Sequence, residues 1–199
     1  PQKELAQIYR MSDPLITGIQ MHEKFADAAR KELHRIISCQ AKIVTLTDPD
    51  YPPLLKQISD PPPFLTYLGT LDRSAPCISI IGSRSATRYG LNTAGNLAYQ
   101  LAKRGFQVVS GMALGIDTMA HDGALRADGR TIAVLGSGLN RIYPRSNTKL
   151  FHRIVRNGTI FSEFKVNTDP LPAHFPMRNR IIAGLSCGSV VVEAAKKAA

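Results

Sequence analysis

Apolar and polar residues follow two different rhythms along this chain. From residue 77 onward, short apolar runs at 77–81, 107–109, 131–135, 159–161 and 190–192 alternate with longer, mixed segments. Runs of that length suit strands covered on both faces. In the segments between them, apolar residues recur every third or fourth position. Leu91, Ala94, Leu97, Ala98 and Leu101 mark one helix face, and Met119, Ala120, Ala124 and Leu125 mark another. Further helices are expected over 147–157 and 177–185, with Gly105 and Gly158 as terminators because glycine tolerates the left-handed backbone that ends a helix. Strands alternating with helices of this size predict an α/β fold: an extended Rossmann-like, mostly parallel sheet flanked by helices and joined by right-handed crossovers.

The first part of the chain reads differently. Residues 1–40 look helical, and Phe25, Ala28, Ala29, Leu33, Ile36 and Ile37 fall on one face. A β-favouring run at 42–46 precedes two proline clusters, at 49–53 and 61–63, which enclose a short helix at 54–58. Residues 64–68 read as an edge strand. The expected organisation is a small helical module over residues 1–45 and an extended Rossmann-like domain over 46–199. Residue 1 is a proline with no initiator methionine, so the natural start is expected to lie upstream.

Candidate chemistry sits at the strand ends. Gly82-Ser83-Arg84, Ser110-Gly111, Gly136-Ser137-Gly138, Ser162-Glu163 and Glu193 each close an apolar run. In open α/β sheets ligands bind at the carboxyl ends of the strands. Backbone N–H groups at helix starts attract anions, and glycine lets an oxyanion approach them. The structural alternative is that glycine merely turns a strand into a helix. Asp117 is placed to cap the helix that follows Gly115. If Pro176 opens its helix, Arg178 and Arg180 fall in the first turn, where cations oppose the helix dipole. Their partners would then be Glu163 or Glu193, or an external phosphate. Lys149 stands one turn into its own helix on the same edge.

Several phosphate chemistries are absent. Gly136-Ser-Gly-Leu-Asn-Arg141 matches two of the three glycines of the dinucleotide fingerprint, which makes a poor NAD or FAD site, and no P-loop string occurs. His121, His152 and His174 are isolated, with no legible nucleophile–base set. No catalytic residue, cofactor or metal is therefore expected. Charge points to a polyanion: 25 Lys and Arg against 15 Asp and Glu give a net charge of +10. Cys39, Cys77 and Cys187 are scattered without metal-ligand spacing, no apolar run is long enough for a bilayer, and no signal segment is visible. A cytoplasmic location away from membranes fits that usage.

Taken together and in order, five motifs resemble the DNA-processing protein A (DprA/Smf) family. They are Ile-Ile-Gly-Ser-Arg (80–84), Ser-Gly-Met-Ala-Leu-Gly-Ile-Asp (110–117) with Ala120-His121, and Ala-Val-Leu-Gly-Ser-Gly-Leu-Asn-Arg-Ile-Tyr-Pro (133–144). Ser162-Glu163 and Phe-Pro-Met-Arg-Asn-Arg-Ile-Ile-Ala-Gly-Leu-Ser (175–186) complete the set. The resemblance implies a protein that binds single-stranded DNA and loads the RecA recombinase onto it in natural transformation, without hydrolysing nucleotide. It further implies a homodimer at full length. On that likeness Arg84 and Lys149 match the family's DNA-contacting arginine and lysine. Gly82, Ser83, Ser110, Gly111, Gly115, Asp117, Arg178, Asn179 and Arg180 would line the same pocket, with Gly138, Phe164 and Phe175 as neighbours. The family pattern continues past the last strand, whereas this sequence closes on Glu193-Ala-Ala-Lys-Lys-Ala-Ala199. A C-terminally shortened domain is the expectation. The competing reading is a nucleoside-monophosphate phosphoribohydrolase of the lysine-decarboxylase-like family. Its Pro-Gly-Gly-x-Gly-Thr signature is absent.

Overall fold

The computed structural model describes residues 22–194. The helical expectation for residues 1–21 and the last five residues of the final segment lie outside them. The chain divides into two compact units, residues 1–38 and 39–199. In the first, α1 (His22–Ser38) carries ion pairs one turn apart, Arg30 with Asp27 and Arg35 with Glu32.

The second unit is built on one seven-stranded sheet. Its strands are β1 (Lys42–Thr45), β2 (Phe64–Gly69), β3 (Cys77–Gly82), β4 (Gln107–Ser110), β5 (Thr131–Val134), β6 (Gly158–Ser162) and β7 (Gly188–Val192). They lie in the order β1-β2-β6-β5-β4-β3-β7. The five strands from β3 onward are mutually parallel, and β2 and β1 extend the sheet antiparallel beyond β6. The Rossmann-like reading therefore describes the fold. Two details differ from expectation. Residues 64–68 form an interior strand between β1 and β6, not an edge. Lys42–Thr45 pairs with β2, Lys42 opposite Tyr67, so these residues belong to the sheet and the division falls before residue 39 rather than at 45.

Side chains alternate across the parallel strands and build a core on each face. Val108 and Ile80 point towards α2 (Arg88–Lys103) and α3 (Ile116–Arg126), while Ala133 and Ile160 meet Leu150, Phe151 and Ile154 of α4 (Thr148–Asn157). On the opposite face Val109, Ile132, Val134 and Phe161 pack with Ile181, Ile182 and Leu185 of α5 (His174–Leu185). The proline-rich segment completes that layer. Tyr51 and Leu55 are buried in it, and the Tyr51 hydroxyl donates to the Pro62 carbonyl at 2.7 Å. Gly105, with φ +84°, follows α2 as a left-handed terminator. Gly158 caps the end of α4 as expected, but with extended backbone (φ −174°), and it also opens β6, where an added Cβ would stand 2.0 Å from the Thr131 carbonyl oxygen.

The alanine-rich faces of α2 and α3 have a physical purpose. Ala94, Ala98, Ala102, Ala120 and Ala124 are buried between the helices and the sheet, and a Cβ on Gly123 would lie 2.2 Å from the Gly95 carbonyl oxygen. Small residues let the two helices approach to backbone contact. Gly123→Ala sets two effects against each other. Removing a mid-helix glycine stabilises by up to about 1 kcal/mol, but forcing a methyl onto backbone costs about 1–3 kcal/mol. The clash wins, so the variant's urea unfolding midpoint is expected to fall; a midpoint that rises would contradict this packing.

Candidate nucleic-acid interface

The carboxyl ends of β3 and β7 border a crevice of about 740 Å³ whose other wall is the start of α5. Gly82 closes β3 so near to β7 that a Cβ would stand 1.9 Å from the Val192 carbonyl oxygen. Ser83 N–H then donates to the Glu193 carbonyl at 3.0 Å, which turns Arg84 out into solvent. The Arg84 guanidinium lies 5.2 Å from the Phe175 ring centre, and the Phe175 ring lies 5.8 Å from that of Tyr143. Phe175 in turn rests on Gly136, where a Cβ would come within 2.8 Å of the ring. A cation and two aromatic rings thus share one wall, and Tyr143 is 49% exposed.

Beneath that wall lies the loop from Ser110 to Asp117. Its glycines were expected to cradle an external phosphate. Instead the loop holds a carboxylate of its own: Asp117 Oδ2 accepts from the N–H groups of Gly111 at 3.1 Å and Ala113 at 3.3 Å. Asp117 is therefore not the cap of α3; that position belongs to Gly115, and Asp117 sits in the first turn with its side chain folded back onto the loop. Gly115 has φ +77° and would place a Cβ 2.3 Å from the Ser83 carbonyl oxygen. Only glycine satisfies both demands. The Ile116 N–H donates to that same carbonyl at 3.2 Å, which ties the two loops together.

Arg178 closes the site from below. Its guanidinium is buried, donates to the Val134 carbonyl, and occupies the space a Gly111 side chain would fill, 2.2 Å from the virtual Cβ. Burial pushes Arg178 down to about 10, with Asp117 opposing that shift and Arg84 adding to it. Burial also raises the Asp117 carboxyl, and the Arg178 charge and the loop N–H groups work against that rise. Each buried charge thus limits the desolvation cost of the other. The α2 helix start is filled in the same way. Glu193 accepts from the Thr87 N–H at 2.8 Å and from the Thr87 hydroxyl, and Thr87 holds its carboxyl below the usual range. Protein carboxylates thus occupy the loop before α3 and the start of α2.

The expected site residues separate accordingly. Gly82, Ser83, Arg84, Asp117, Phe175, Arg178 and Asn179 line the crevice. Ser110, Gly111 and Gly115 lie behind it as supports; the Ser110 hydroxyl donates to the Ile80 carbonyl at 2.7 Å. Arg180 turns away and pairs with Glu163 at 2.9 Å and Asp60 at 3.1 Å, the internal partnership the sequence left open. Helix α5 begins at His174, two residues before Pro176, so Arg178 and Arg180 fall beyond the first turn and escape most of the unfavourable dipole. Gly138 is buried against Lys165 and Val166, where a Cβ would meet backbone at 2.1 Å. Phe164 stacks on His174 with centres 4.2 Å apart. Lys149 is exposed on α4, outside the crevice lining. Pro170, Pro172 and Val191 also line the crevice and were not anticipated. The two prolines lie in the long crossover between β6 and β7, for which a proline-rich loop was the available sign, and Val191 belongs to β7 itself.

The family described as DNA recombination-mediator protein A matches residues 42–198. The chain belongs to this family. Protein Smf of Synechocystis is 48% identical over 161 residues, covering 78% of this chain and 40% of that protein. DNA processing protein DprA of Bacillus subtilis is 40% identical, covering 77% and 52%. The chain thus spans about half the length, or less, of these curated relatives. Among solved structures, DNA processing protein A of Streptococcus pneumoniae superposes with a TM-score of 0.86 at 35% identity, covering 99% of this chain and 68% of that one. The Helicobacter pylori protein, described by its single-stranded DNA binding mode, gives 0.71 at 33% identity, covering 79% and 72%.

A family motif residue, His121, offers a pH test of this interior. Its ring is fully buried, Nδ1 lies 2.7 Å from the Thr131 hydroxyl, and burial, with Arg178 adding, takes its pKa from 6.5 to about 3. The unfolded chain protonates His121 near pH 6.5 and the folded chain does not, so its contribution is full above pH 6.5 and declines as pH falls towards 3. Wild type should lose unfolding free energy between pH 6.5 and 4 more steeply than His121→Gln, measured by urea titration. Parallel pH slopes would show that His121 is not held neutral.

Proposed function

We propose that this chain binds single-stranded DNA at the crevice bordered by Arg84, as a recombination mediator that acts without catalytic turnover. One observation carries the reading: Arg84 is an exposed cation set over Phe175 and beside Tyr143, at the carboxyl edge of a parallel sheet. Single-strand binders combine such cations, which take the phosphate backbone, with aromatic faces that stack bases. The net charge of +10 supplies the wider attraction. The single-stranded DNA binding mode described for the Helicobacter pylori relative supports the same assignment.

Arg84 is the principal phosphate contact in this proposal. Phe175, Tyr143 and Asn179 meet the bases or sugars. Gly82, Ser83, Ser110, Gly111, Gly115, Asp117 and Arg178 shape the wall. Arg180 and Gly138 are structural, and Lys149 acts outside the crevice. By membership of its family the chain would pass DNA to RecA in the cytoplasm, and would dimerise in the full-length protein. No helix among the described residues is long and apolar enough to cross a membrane. The phosphoribohydrolase alternative is not favoured. Glu163 and Arg178, the pair that a sugar-phosphate site would need, are otherwise engaged: Glu163 by Arg180, and Arg178 by the Val134 carbonyl.

Fluorescence titration with single-stranded and duplex oligonucleotides across a salt series tests the proposal. Tighter binding of the single strand is expected. Arg84→Ala should weaken it roughly ten- to a hundredfold, as loss of a charged hydrogen bond implies, and flatten the log–log salt slope by about 0.7. Phe175→Ala should weaken it by about 1–3 kcal/mol while leaving the slope unchanged. Unchanged affinity and slope in Arg84→Ala would reject the site. Release of free base from nucleoside monophosphates, dependent on Glu163, would reject the non-catalytic reading.

A further inference from the structure

Helix α4 carries a second basic feature outside the crevice. Arg145, in the single 3-10 turn that leads into the helix, is followed by Lys149, His152 and Arg156, at offsets of four, three and four residues. Lys149, His152 and Arg156 fall on one side of the helix over two turns, roughly 10 Å at the α-helical rise, and Arg145 stands in the turn just ahead of them. All four are exposed, and none has a carboxylate partner among the described residues. The neighbouring Arg153 shows the contrast: it turns towards α3 and pairs with Asp122 at 2.7 Å. Helix α4 contains no acidic residue. Its other face is fixed by buried Leu150, Phe151 and Ile154, so the charges are presented from a rigid support.

The stripe also has a direction. Tyr143 lines the crevice, and Arg145 follows two residues later. Of the four, Arg145 is therefore the nearest along the chain to the crevice lining. Three exposed cations and an exposed histidine, whose ring also meets Phe151 edge-on, suit a flexible polyanion better than a compact anion, which would use two or three converging groups.

We infer that Arg145, Lys149, His152 and Arg156 form a backbone track that takes the phosphates of a single strand as it leaves the crevice, lengthening the site beyond the nucleotides held there. The inference rests on the crevice being a single-stranded DNA site. It assigns the stripe to nucleic acid rather than to an acidic protein, and it gives the two regions separate tasks: Arg84 and the aromatic rings hold the first nucleotides, and α4 adds charge contacts that depend on strand length.

The test compares oligonucleotides of about 4 and about 16 nucleotides, the range of single-strand site sizes per binding fold, on the whole chain. Arg145→Ala/Arg156→Ala removes two exposed charges that have no carboxylate partner among the described residues. The long strand's log–log salt slope is expected to flatten by about 1.4, two contacts at about 0.7 each, while the short strand's affinity is unchanged. Arg145→Lys/Arg156→Lys should keep the wild-type slope. An unchanged long-strand slope would overturn the inference, as would equal weakening of both strands. Loss of binding in Arg84→Ala together with an unaltered Arg145→Ala/Arg156→Ala variant would leave the crevice reading standing and remove the track. Wild type that binds neither oligonucleotide would remove both.

Discussion

The crevice is organised around one carboxylate. Asp117 accepts hydrogen bonds from Gly111 and Ala113, so the glycine-rich loop closes on a side chain of its own. An open loop of this kind would be a phosphate cradle. A filled one is a rigid floor. The charge of the buried Arg178 beneath opposes the rise that burial imposes on the Asp117 carboxyl, and the absence of a side chain at Gly111 makes room for that guanidinium. Glu193 fills the start of α2 through Thr87 in the same manner. With those loop N–H groups and the start of α2 occupied, neither is an open seat for a nucleotide's terminal phosphates. Arg84 is left as the crevice's exposed cation, held over an aromatic face.

That arrangement separates two kinds of positive charge. Arg178 and Arg180 are internal: one is buried under the loop and the other bridges Glu163 and Asp60. Their removal would be felt first in the fold, because a buried charge loses its counterpart. Arg84 and the α4 stripe face water and are available to a polyanion. A net charge of +10 says nothing about this division. It emerges when each cation is followed to its partner.

The architecture was legible in the apolar rhythm because parallel strands covered on both faces and helices with one apolar face leave different periods. The same signal failed at residues 64–68. There the alternating, mixed strand β2 reads like an edge, although it lies between β1 and β6. Its neighbours come from distant parts of the chain, and local pattern carries no information about them. The site was partly legible. Gly82 to Arg84 could be placed at a strand end, since topology alone takes them there, whereas Phe175 lies in the first turn of α5 and entered through the family likeness. What Asp117 does was not visible, because a carboxylate two residues after Gly115 fits a helix cap as well as a loop plug. Arg178 and Arg180 differ by two positions in sequence and by most of their exposure in the fold, a difference set by which side of α5 faces the sheet.

The account turns on where the first phosphate sits. A crystal structure of the chain with a short single-stranded oligonucleotide measures this directly. The account predicts a phosphate on the Arg84 guanidinium, a base or sugar against Phe175 or Tyr143, and Asp117 still accepting from Gly111 and Ala113. A phosphate bound to those two N–H groups, with the Asp117 carboxylate displaced, would contradict it.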